Sequence, residues 1–337
     1  MTETHELRIA VIGAGPAGVY SSDIFLRQLK KLGEELGLGT AARIDLFEKL
    51  PVPFGLVRYG VAPDHPSIKF IASALEKTLD NPDIHLYCDV EFGKDVTLDE
   101  LLERYDAVLF ATGAVEDKPL GLPGADLDGV YGAAKFVEWY DGYPTGAREW
   151  PLEAEEVAVI GGGNVAMDAA RSALRLGAET VYIVYRRGMA ELPARKEEVE
   201  HAEEEGIIFK TLCNPVEIHA NDEGFVKSIT CIEMELGEPD ASGRRRPIEK
   251  KGSEFELDVD TVIMSLGTSP NPLIRSTTPG LETNKHGCIV TEGDEGKTSR
   301  DGVYAGGDAV TGAATVIKAM GAGKAAAKAM DEYIQNK

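Results

Sequence analysis

The stretches RIAVIGAGPAG (residues 8–18) and EVAVIGGGNVA (residues 156–166) decide the fold of this chain. Each begins with a short apolar run typical of a buried strand, passes through closely spaced glycines and continues as a helical pattern. The spacing is G-x-G-x-x-G in the first copy and G-x-G-x-x-A in the second. The first glycine permits a tight turn, the second lets a pyrophosphate approach the backbone, and the third position packs helix against strand. One such pattern is a weak signal, but two copies in strand–turn–helix context predict two dinucleotide-binding domains.

Each copy leads into a second strand, and the two strands end in different residues. ARIDLFEK (42–49) contains Glu48, whose carboxylate can accept hydrogen bonds from ribose hydroxyls. TVYIVY (180–185) is followed by Arg186 and Arg187, which suit a 2′-phosphate. The alternative interpretation of the arginines is a solvated basic pair at a strand end. We therefore expect FAD in the first domain and NADP(H) in the second.

The first copy is longer than usual between its glycine turn and its acidic residue. Glu48 follows Gly13 at a larger separation than the fingerprint normally shows. We therefore expect an insertion in the helix or loop at 27–43.

Two further segments end in close glycine turns. VLFATGA (108–114) and VIMSLGTSP (262–270) each indicate a strand that returns to the sheet.

GVYAGGDAVTGAATVIKAM (302–320) combines a strand, a Gly-Gly-Asp turn and a helix of small residues. Asp308 in that turn can accept a hydrogen bond from a ribityl hydroxyl. The N–H groups at the helix start can face the N1/O2 edge of a flavin and stabilise its anionic reduced form.

The overall charge and hydropathy exclude several functional classes. The chain of 337 residues carries 57 acidic and 35 basic side chains, for a formal net charge of −22. This charge argues against nucleic-acid binding, which requires concentrated Lys and Arg. No apolar run approaches the roughly 18 residues of a membrane-spanning helix. The start MTETHELRIAVIGAG lacks the pattern of a secretion signal, so we expect a cytoplasmic protein.

The four cysteines are far apart in the sequence and form no C-x-x-C pair: Cys88, Cys213, Cys231 and Cys288. Iron–sulfur clusters, zinc ribbons and local redox dithiols normally have clustered cysteines. We therefore expect four reduced structural thiols, no metal site and no internal dithiol that could receive electrons.

The chain as a whole resembles the two-dinucleotide-binding-domain flavoproteins, and it resembles two of their branches. EKLPVPFGLVRYGVAPDHPSIK (48–69) is similar to the adrenodoxin-reductase-type ferredoxin–NADP reductases. From about Glu156, VIGGGNVAMDAARSALRLGA and YRRGMAELPARKEEVEHAEEEGI resemble the small subunit of glutamate synthase, as does YAGGDAVTGAATVIKAMGAGKAAA near the end. The flavin fingerprint begins at residue 8, so we expect this chain to lack the N-terminal cysteine-rich region of that subunit.

The resemblance implies an α/β fold of two Rossmann-like, three-layer ββα domains in the glutathione-reductase-like arrangement. A discontinuous FAD domain (1–115 and 290–337) would enclose an NADP(H) domain (116–289). Together, the motifs and the resemblance predict these cofactor-binding residues: Gly13, Gly15, Pro16, Ala17, Gly18, Glu48, Lys49, Gly55, Leu56, Arg58, Val90, Ala111, Thr112, Gly113, Gly163, Asn164, Val165, Ala166, Arg186, Arg187, Gly267, Gly307, Asp308, Ala314, Thr315 and Val316.

Two residues match catalytic positions of the ferredoxin reductases. His65 would lie on the flavin side of the cleft and Glu198 near the nicotinamide half. The alternatives are a turn histidine that caps a backbone group, and a glutamate on the exposed face of the acidic helix EEVEHAEEE.

The resemblance implies an enzyme that takes hydride from NADPH onto FAD, by contact rather than by an acid–base side chain, and passes electrons to a ferredoxin-type carrier. Two alternatives remain open: an electron-input module of glutamate synthase or a related complex, and a non-catalytic FAD- and NADP-binding protein. The net charge of −22 works against an acidic partner unless basic residues cluster locally. Candidate clusters are Arg186, Arg187, Arg195 and Lys196, and the stretch from Arg244 to Lys251, which is read more simply as an exposed hairpin loop.

Overall fold

The computed structural model describes residues 7–36, 42–144, 154–241, 243–313 and 315–335. The chain forms two compact units: Met1–Glu116 together with Thr268–Lys337, and Asp117–Gly267. The first unit is thus discontinuous in sequence, and the second is inserted into it. The chain returns to the first unit at Thr268, earlier than the expected boundary near 290. Which cofactor each unit holds stays a prediction.

The helices and strands follow in chain order. Up to the point where the chain enters the inserted unit they are β1 (Leu7–Ile12), α1 (Pro16–Leu36), β2 (Ala42–Phe47), α2 (Leu56–Tyr59), α3 (Pro66–Lys69), α4 (Ile71–Leu79), β3 (Ile84–Tyr87), α5 (Leu98–Leu102), β4 (Ala107–Phe110) and β5 (Glu116–Asp117). The inserted unit contains β6 (Val130–Gly132), α6 (Ala133–Tyr140), β7 (Glu156–Ile160), α7 (Asn164–Arg175), β8 (Thr180–Tyr185), α8 (Lys196–Glu204), β9 (Ile208–Thr211), β10 (Cys213–Ala220), β11 (Val226–Pro239), β12 (Arg245–Asp258) and β13 (Thr261–Met264). After the chain returns to the first unit come β14 (Thr268–Ser269), α9 (Pro272–Thr277), β15 (Val303–Ala305), α10 (Asp308–Thr311) and α11 (Val316–Gln335).

The first unit is built on a parallel sheet in the order β15-β4-β1-β2-β3. The run IAVI in β1 is buried along its whole length because side chains on both faces of the sheet are covered. The expected insertion lies at least partly in α1, which has 21 residues where α7 of the second copy has 12. All strands of this sheet end at the same edge, and the first glycine turn lies at that edge.

The inserted unit contains a second parallel sheet, in the order β6-β13-β7-β8-β9, and an antiparallel sheet β10-β11-β12. Helix α7 turns a face of small residues toward the core: Ala166, Ala169, Ala170 and Ala173 are at most 1% exposed. Small side chains on this face let the helix pack closely on the strands. These two parallel sheets confirm the predicted α/β class with two Rossmann-like domains.

The basic stretch near Arg244 lies in an exposed hairpin, as expected, but most of it is strand rather than loop. Residues 245–251 belong to β12, which pairs with β11 over most of its length. This strand was not predictable from the sequence because its side chains are charged on both faces. The alternation of apolar and polar residues that marks a half-buried strand is therefore missing.

The four cysteines are free thiols, as expected, but two of them lie on neighbouring strands, which their spacing in the sequence did not predict. Cys213 and Cys231 lie on the paired strands β10 and β11, where Pro215 is the register partner of Cys231. Both thiols are buried and free. Strand pairing joins positions that are distant in sequence, which sequence spacing alone does not reveal. Separately, no helix among the described residues is long and apolar enough to cross a membrane.

Candidate functional sites in the two glycine turns

The first glycine turn joins the ends of three neighbouring strands. Gly13 has φ +104°, its N–H donates to the carbonyl of Phe47 at 2.7 Å, and a Cβ there would stand 2.5 Å from the carbonyl oxygen of Ala111. Only glycine fits that approach. At Gly15 the opposite holds, since a Cβ would meet nothing within 4 Å. The turn therefore leaves open space beside its backbone, as a bound pyrophosphate requires.

Glu48 is the acidic residue that closes this turn. It is 6% exposed, and its two carboxylate oxygens accept hydrogen bonds from the N–H of Ala14 at 2.9 Å and of Leu50 at 3.0 Å. Burial raises the pKa of the Glu48 carboxyl, and the two N–H donors partly oppose that shift. An ionised carboxylate has about four acceptor sites, so capacity for ribose hydroxyls remains. Its backbone carbonyl accepts from Val90 N–H at 2.9 Å, which places the expected adenine contact beside the expected ribose contact.

The segment that precedes α2 folds back onto the same turn. Phe54 has φ +89°, an unusual value for a residue other than glycine, and its N–H donates to the carbonyl of Ala14 at 2.8 Å. A Cβ on Gly55 would lie 3.5 Å from Cα of Gly15. Backbone in such a strained region is typical of functional sites. Leu56 begins α2, and the side chain of Arg58 is exposed.

The remaining strand ends complete the edge. The hydroxyl of Thr112, two residues after β4, is buried and has no hydrogen-bond partner among the described residues. Gly307, after β15, has φ +69°, and a Cβ there would stand 2.8 Å from that of Ala17. A buried hydroxyl without a partner is costly in the protein alone. A flavin hydrogen bond at this edge would remove that cost, so the residues present fit such a group.

Helix α11 begins where the sequence predicts. Thr315 directly precedes it; its hydroxyl accepts from the N–H of Lys318 at 3.4 Å and its carbonyl from that of Ala319 at 3.0 Å, as in a helix N-cap. The first N–H groups of the helix, from Val316 on, have no acceptor within the helix. Asp308 is the first residue of α10. The predicted contact Ala314 lies outside the described residues.

His65 directly precedes α3, and its carbonyl accepts from the N–H groups of Ile68 and Lys69. Its side chain does not cap this helix, and Nε2 lies 3.9 Å from Asp64 Oδ1. Its backbone therefore serves the turn, and the role of the imidazole stays a prediction.

The loop that follows β8 is hydrogen-bonded to the second glycine turn. Asn164 Oδ1 accepts from the N–H of Arg195 at 2.8 Å, and the carbonyl of Gly162 accepts from the N–H of Ala194 at 3.1 Å. A Cβ on Gly163 would meet nothing within 4 Å, so this turn too leaves open space along its backbone. Val165, next to it, is 49% exposed.

The two predicted phosphate-binding arginines are in different environments. Arg187 is 7% exposed; its Nη2 donates to Asp240 Oδ2 at 2.7 Å and its Nε to the carbonyl of Arg245 at 2.8 Å. It therefore joins the end of β8 to the tip of the β11–β12 hairpin. Arg186 is exposed, so its guanidinium is accessible to a ligand. The interpretation as a solvated pair is wrong for Arg187.

Glu198 is not on an exposed helix face. It is 5% exposed, its Oε1 accepts from Arg195 Nη2 at 3.0 Å, and its Oε2 lies 3.6 Å from Arg171 Nη1. Arg171 also donates to Glu205 at 2.7 Å, so a single buried arginine connects α7 to two carboxylates at α8 and its C-terminus. This network holds Arg195 beside the second turn.

The other predicted contacts are placed as follows. Pro16 begins α1, Gly18 and Ala166 pack helix against strand, Lys49 is exposed, Gly113 adopts φ +71°, and Gly267 accepts from the N–H of Lys118 at 3.0 Å. Asp240 was not predictable from the sequence, because nothing in an acidic residue at a hairpin tip indicates that an arginine elsewhere in the chain binds it. The strained Phe54 was also missed, although its place between Pro53 and Gly55 is a turn signal.

Comparisons with known proteins agree with this geometry. The family model for pyridine nucleotide-disulphide oxidoreductases matches residues 7–323. The glutamate synthase (NADPH) small chain of Escherichia coli (strain K12) is 33% identical over 97% of this chain and 69% of its own length. The NADP(+)-dependent formate dehydrogenase subunit beta of Moorella thermoacetica is 38% identical over 97% of this chain and 44% of its own. FprA of Mycobacterium tuberculosis in complex with NADPH is 27% identical, with a TM-score of 0.87 over 98% of this chain and 85% of that one.

These matches include both branches of the predicted resemblance and confirm it, together with the oxidoreductase class. They also support FAD and NADP(H) as the cofactors. The chain spans about half the length of several relatives that it matches, between 44% and 50%.

Proposed function

Because the chain belongs to the pyridine nucleotide-disulphide oxidoreductase family, we propose that it oxidises NADPH by means of bound FAD and passes electrons to a ferredoxin-type carrier. The observation that carries this proposal is the pair of glycine turns, each at the carboxyl edge of a parallel sheet and each open beside its central glycine. When bound, the flavin supplies the conversion of a two-electron donor into single-electron transfers.

In the first unit, we assign the FAD pyrophosphate to the turn around Gly15 and the adenosine ribose to Glu48. The flavin end is assigned to Thr112, whose buried hydroxyl needs a partner, and to the start of α11 at Thr315. The helix start places partial positive charge where reduced flavin carries negative charge.

In the second unit, we assign the NADPH pyrophosphate to the turn around Gly163 and the 2′-phosphate to Arg186. Arg187 contributes by holding the hairpin tip, since two of its donors are already engaged. Of the two proposed catalytic side chains, His65 keeps its assignment on the flavin side. Glu198 is better explained as a positioning residue that acts through Arg195, because its carboxylate is held between two arginines.

The second candidate is an electron-input module that works only when docked to a larger protein. It is favoured by the relatives, because the formate dehydrogenase beta subunit and the glutamate synthase small chain are each named as one subunit of an enzyme. Three of the cations proposed for docking an acidic carrier are already paired, namely Arg187 with Asp240, Arg195 with Glu198 and Lys196 with Glu200. That pairing weakens the case for a basic docking patch here. A cytoplasmic location is part of either proposal.

One experiment tests these proposals in sequence. The purified protein is examined by absorption spectroscopy for flavin, then mixed with NADPH without oxygen, and the flavin band is expected to bleach. A protein that binds flavin but does not bleach would be the non-catalytic alternative. Subsequent titration with ferredoxin, and in parallel with a glutamate synthase large subunit, separates the free-standing reductase from the input module.

A further inference from the structure

Two buried thiols lie side by side in the inserted unit. Cys213 is two residues before Pro215, the register partner of Cys231, so both side chains project from the same face of the β10–β11 pair. They are 4% and 0% exposed and belong to one apolar cluster. The Cys231 thiol adjoins the Cys213 sulfur, and the Cys213 thiol donates to the carbonyl of Lys210 at 3.0 Å.

The same thiols adjoin the backbone that presents Arg186. The N–H of Tyr185, the residue before it, donates to the Cys213 sulfur. Leu212, the residue before Cys213, has φ +54° and donates its N–H to the carbonyl of Arg187 at 3.0 Å. The backbone on both sides of Arg186 is therefore bonded to the Leu212–Cys213 pair.

We propose that Cys213 and Cys231 form a reversible disulfide, and that its formation weakens NADPH binding by displacing the turn that carries Arg186. The second part rests on the proposed NADPH site. A disulfide requires the sulfurs to approach to about 2.05 Å with a defined dihedral angle. Drawing the Cys213 sulfur toward Cys231 takes it away from the Tyr185 N–H and pulls on Leu212.

The chemistry requires a small oxidant because the thiols are buried, and hydrogen peroxide fits that requirement. The neighbouring Cys231 thiol lowers the pKa of the Cys213 thiol, whereas the pKa of Cys231 is raised, so Cys213 is the better nucleophile of the two. Its sulfur attacks one oxygen of hydrogen peroxide, the O–O bond breaks, and the other oxygen leaves as water with the thiol proton, so that a sulfenic acid remains. The Cys231 sulfur then attacks the Cys213 sulfur, the S–S bond forms, and a second water leaves. In total two thiols are oxidised and one peroxide is reduced.

Peptide mapping tests the disulfide without any activity measurement. The whole protein is treated with hydrogen peroxide, the remaining thiols are alkylated, and the protein is digested with trypsin. Cleavage after Lys210, Lys227 and Arg244 places the two cysteines on separate peptides. We expect one linked pair, lighter by two hydrogens and separated by dithiothreitol. If only Cys88, which is partly exposed, is oxidised and no linked pair forms, the proposal is overturned.

The effect on the nucleotide is measured on the same samples. Oxidation should raise KM for NADPH at least threefold, with kcat little changed and full reversal by dithiothreitol. Cys231→Ala should abolish the response, whereas Cys288→Ala should keep it. A linked pair with unchanged KM refutes the coupling to NADPH binding, provided that Arg186→Ala does raise KM. If Arg186→Ala also has no effect, the NADPH assignment itself has failed, and the linked peptides still report on the disulfide.

Discussion

Gly163→Ala separates the binding role of the second turn from its structural role. Gly163 has φ −87° and ψ 177°, which an alanine adopts without strain, and a Cβ there meets no protein atom within 4 Å. The lower entropy of the unfolded chain stabilises the variant by about 0.4–1 kcal/mol. Alanine is a poorer N-cap residue for α7, and that cost is of similar size. The free energy of unfolding should therefore change by less than about 1 kcal/mol.

The same methyl group occupies the space that a pyrophosphate needs. Loss of one charge-assisted hydrogen bond to the backbone costs about 1.5–3 kcal/mol, which is roughly a tenfold to hundredfold loss of affinity. We expect KM for NADPH to rise by at least tenfold while the melting temperature and the flavin content stay unchanged.

Gly121→Ala is the matched control. This glycine lies in the same unit without positive φ, and its Cβ would also meet nothing within 4 Å. It should change neither KM nor stability. An unchanged KM in the Gly163 variant, measured by steady-state turnover with an artificial electron acceptor, would refute the assignment of this turn to NADPH.

Further outcomes are expected for three variants. Arg186→Ala should raise KM for NADPH at least tenfold and leave KM for NADH nearly unchanged. Replacement of the exposed Arg27 by alanine is the control. Equal effects on both nucleotides would contradict the 2′-phosphate assignment. Glu48→Gln should lower the affinity for FAD at least tenfold in a flavin titration. Because the folded pKa of Glu48 is raised above the ordinary 4.5, this group favours folding at low pH and loses that contribution as pH rises through the folded value. The difference in unfolding free energy between the apoprotein and the Glu48→Gln variant should therefore decline as the pH rises above 4.5. A difference that does not change with pH would contradict the burial argument. Arg171→Met should destabilise the protein by about 3 kcal/mol in urea unfolding, because Glu198 keeps a buried charge with one fewer partner. The control is Arg175→Met, on the exposed side of the same helix, which should cost less than about 1 kcal/mol.

Local sequence was sufficient to predict the glycine turns, the strands that enter them and the helix starts, because each depends on a few neighbouring residues. Both glycine turns, the strands that enter them, the strand ends at Glu48 and Arg186, and the start of α11 could be read from spacing alone. Each depends on a backbone turn or a hydrophobic run of a few residues, which the sequence states directly. The α/β class and two-domain organisation follow from repeating that unit.

Tertiary structure decided what each charged or sulfur-containing side chain contacts. Arg186 and Arg187 are neighbours in sequence, yet only Arg187 is buried by a hairpin more than fifty residues away. Glu198 is on an acidic helix that suggests an exposed face, yet it lies between two arginines. Cys213 and Cys231 meet only because β10 and β11 pair. Ion pairs and thiol contacts depend on which chain segments pack together, and packing over long sequence separations leaves no periodic signal in the sequence. The nucleotide turns were therefore predictable, whereas the buried partners that hold their side chains in place were not.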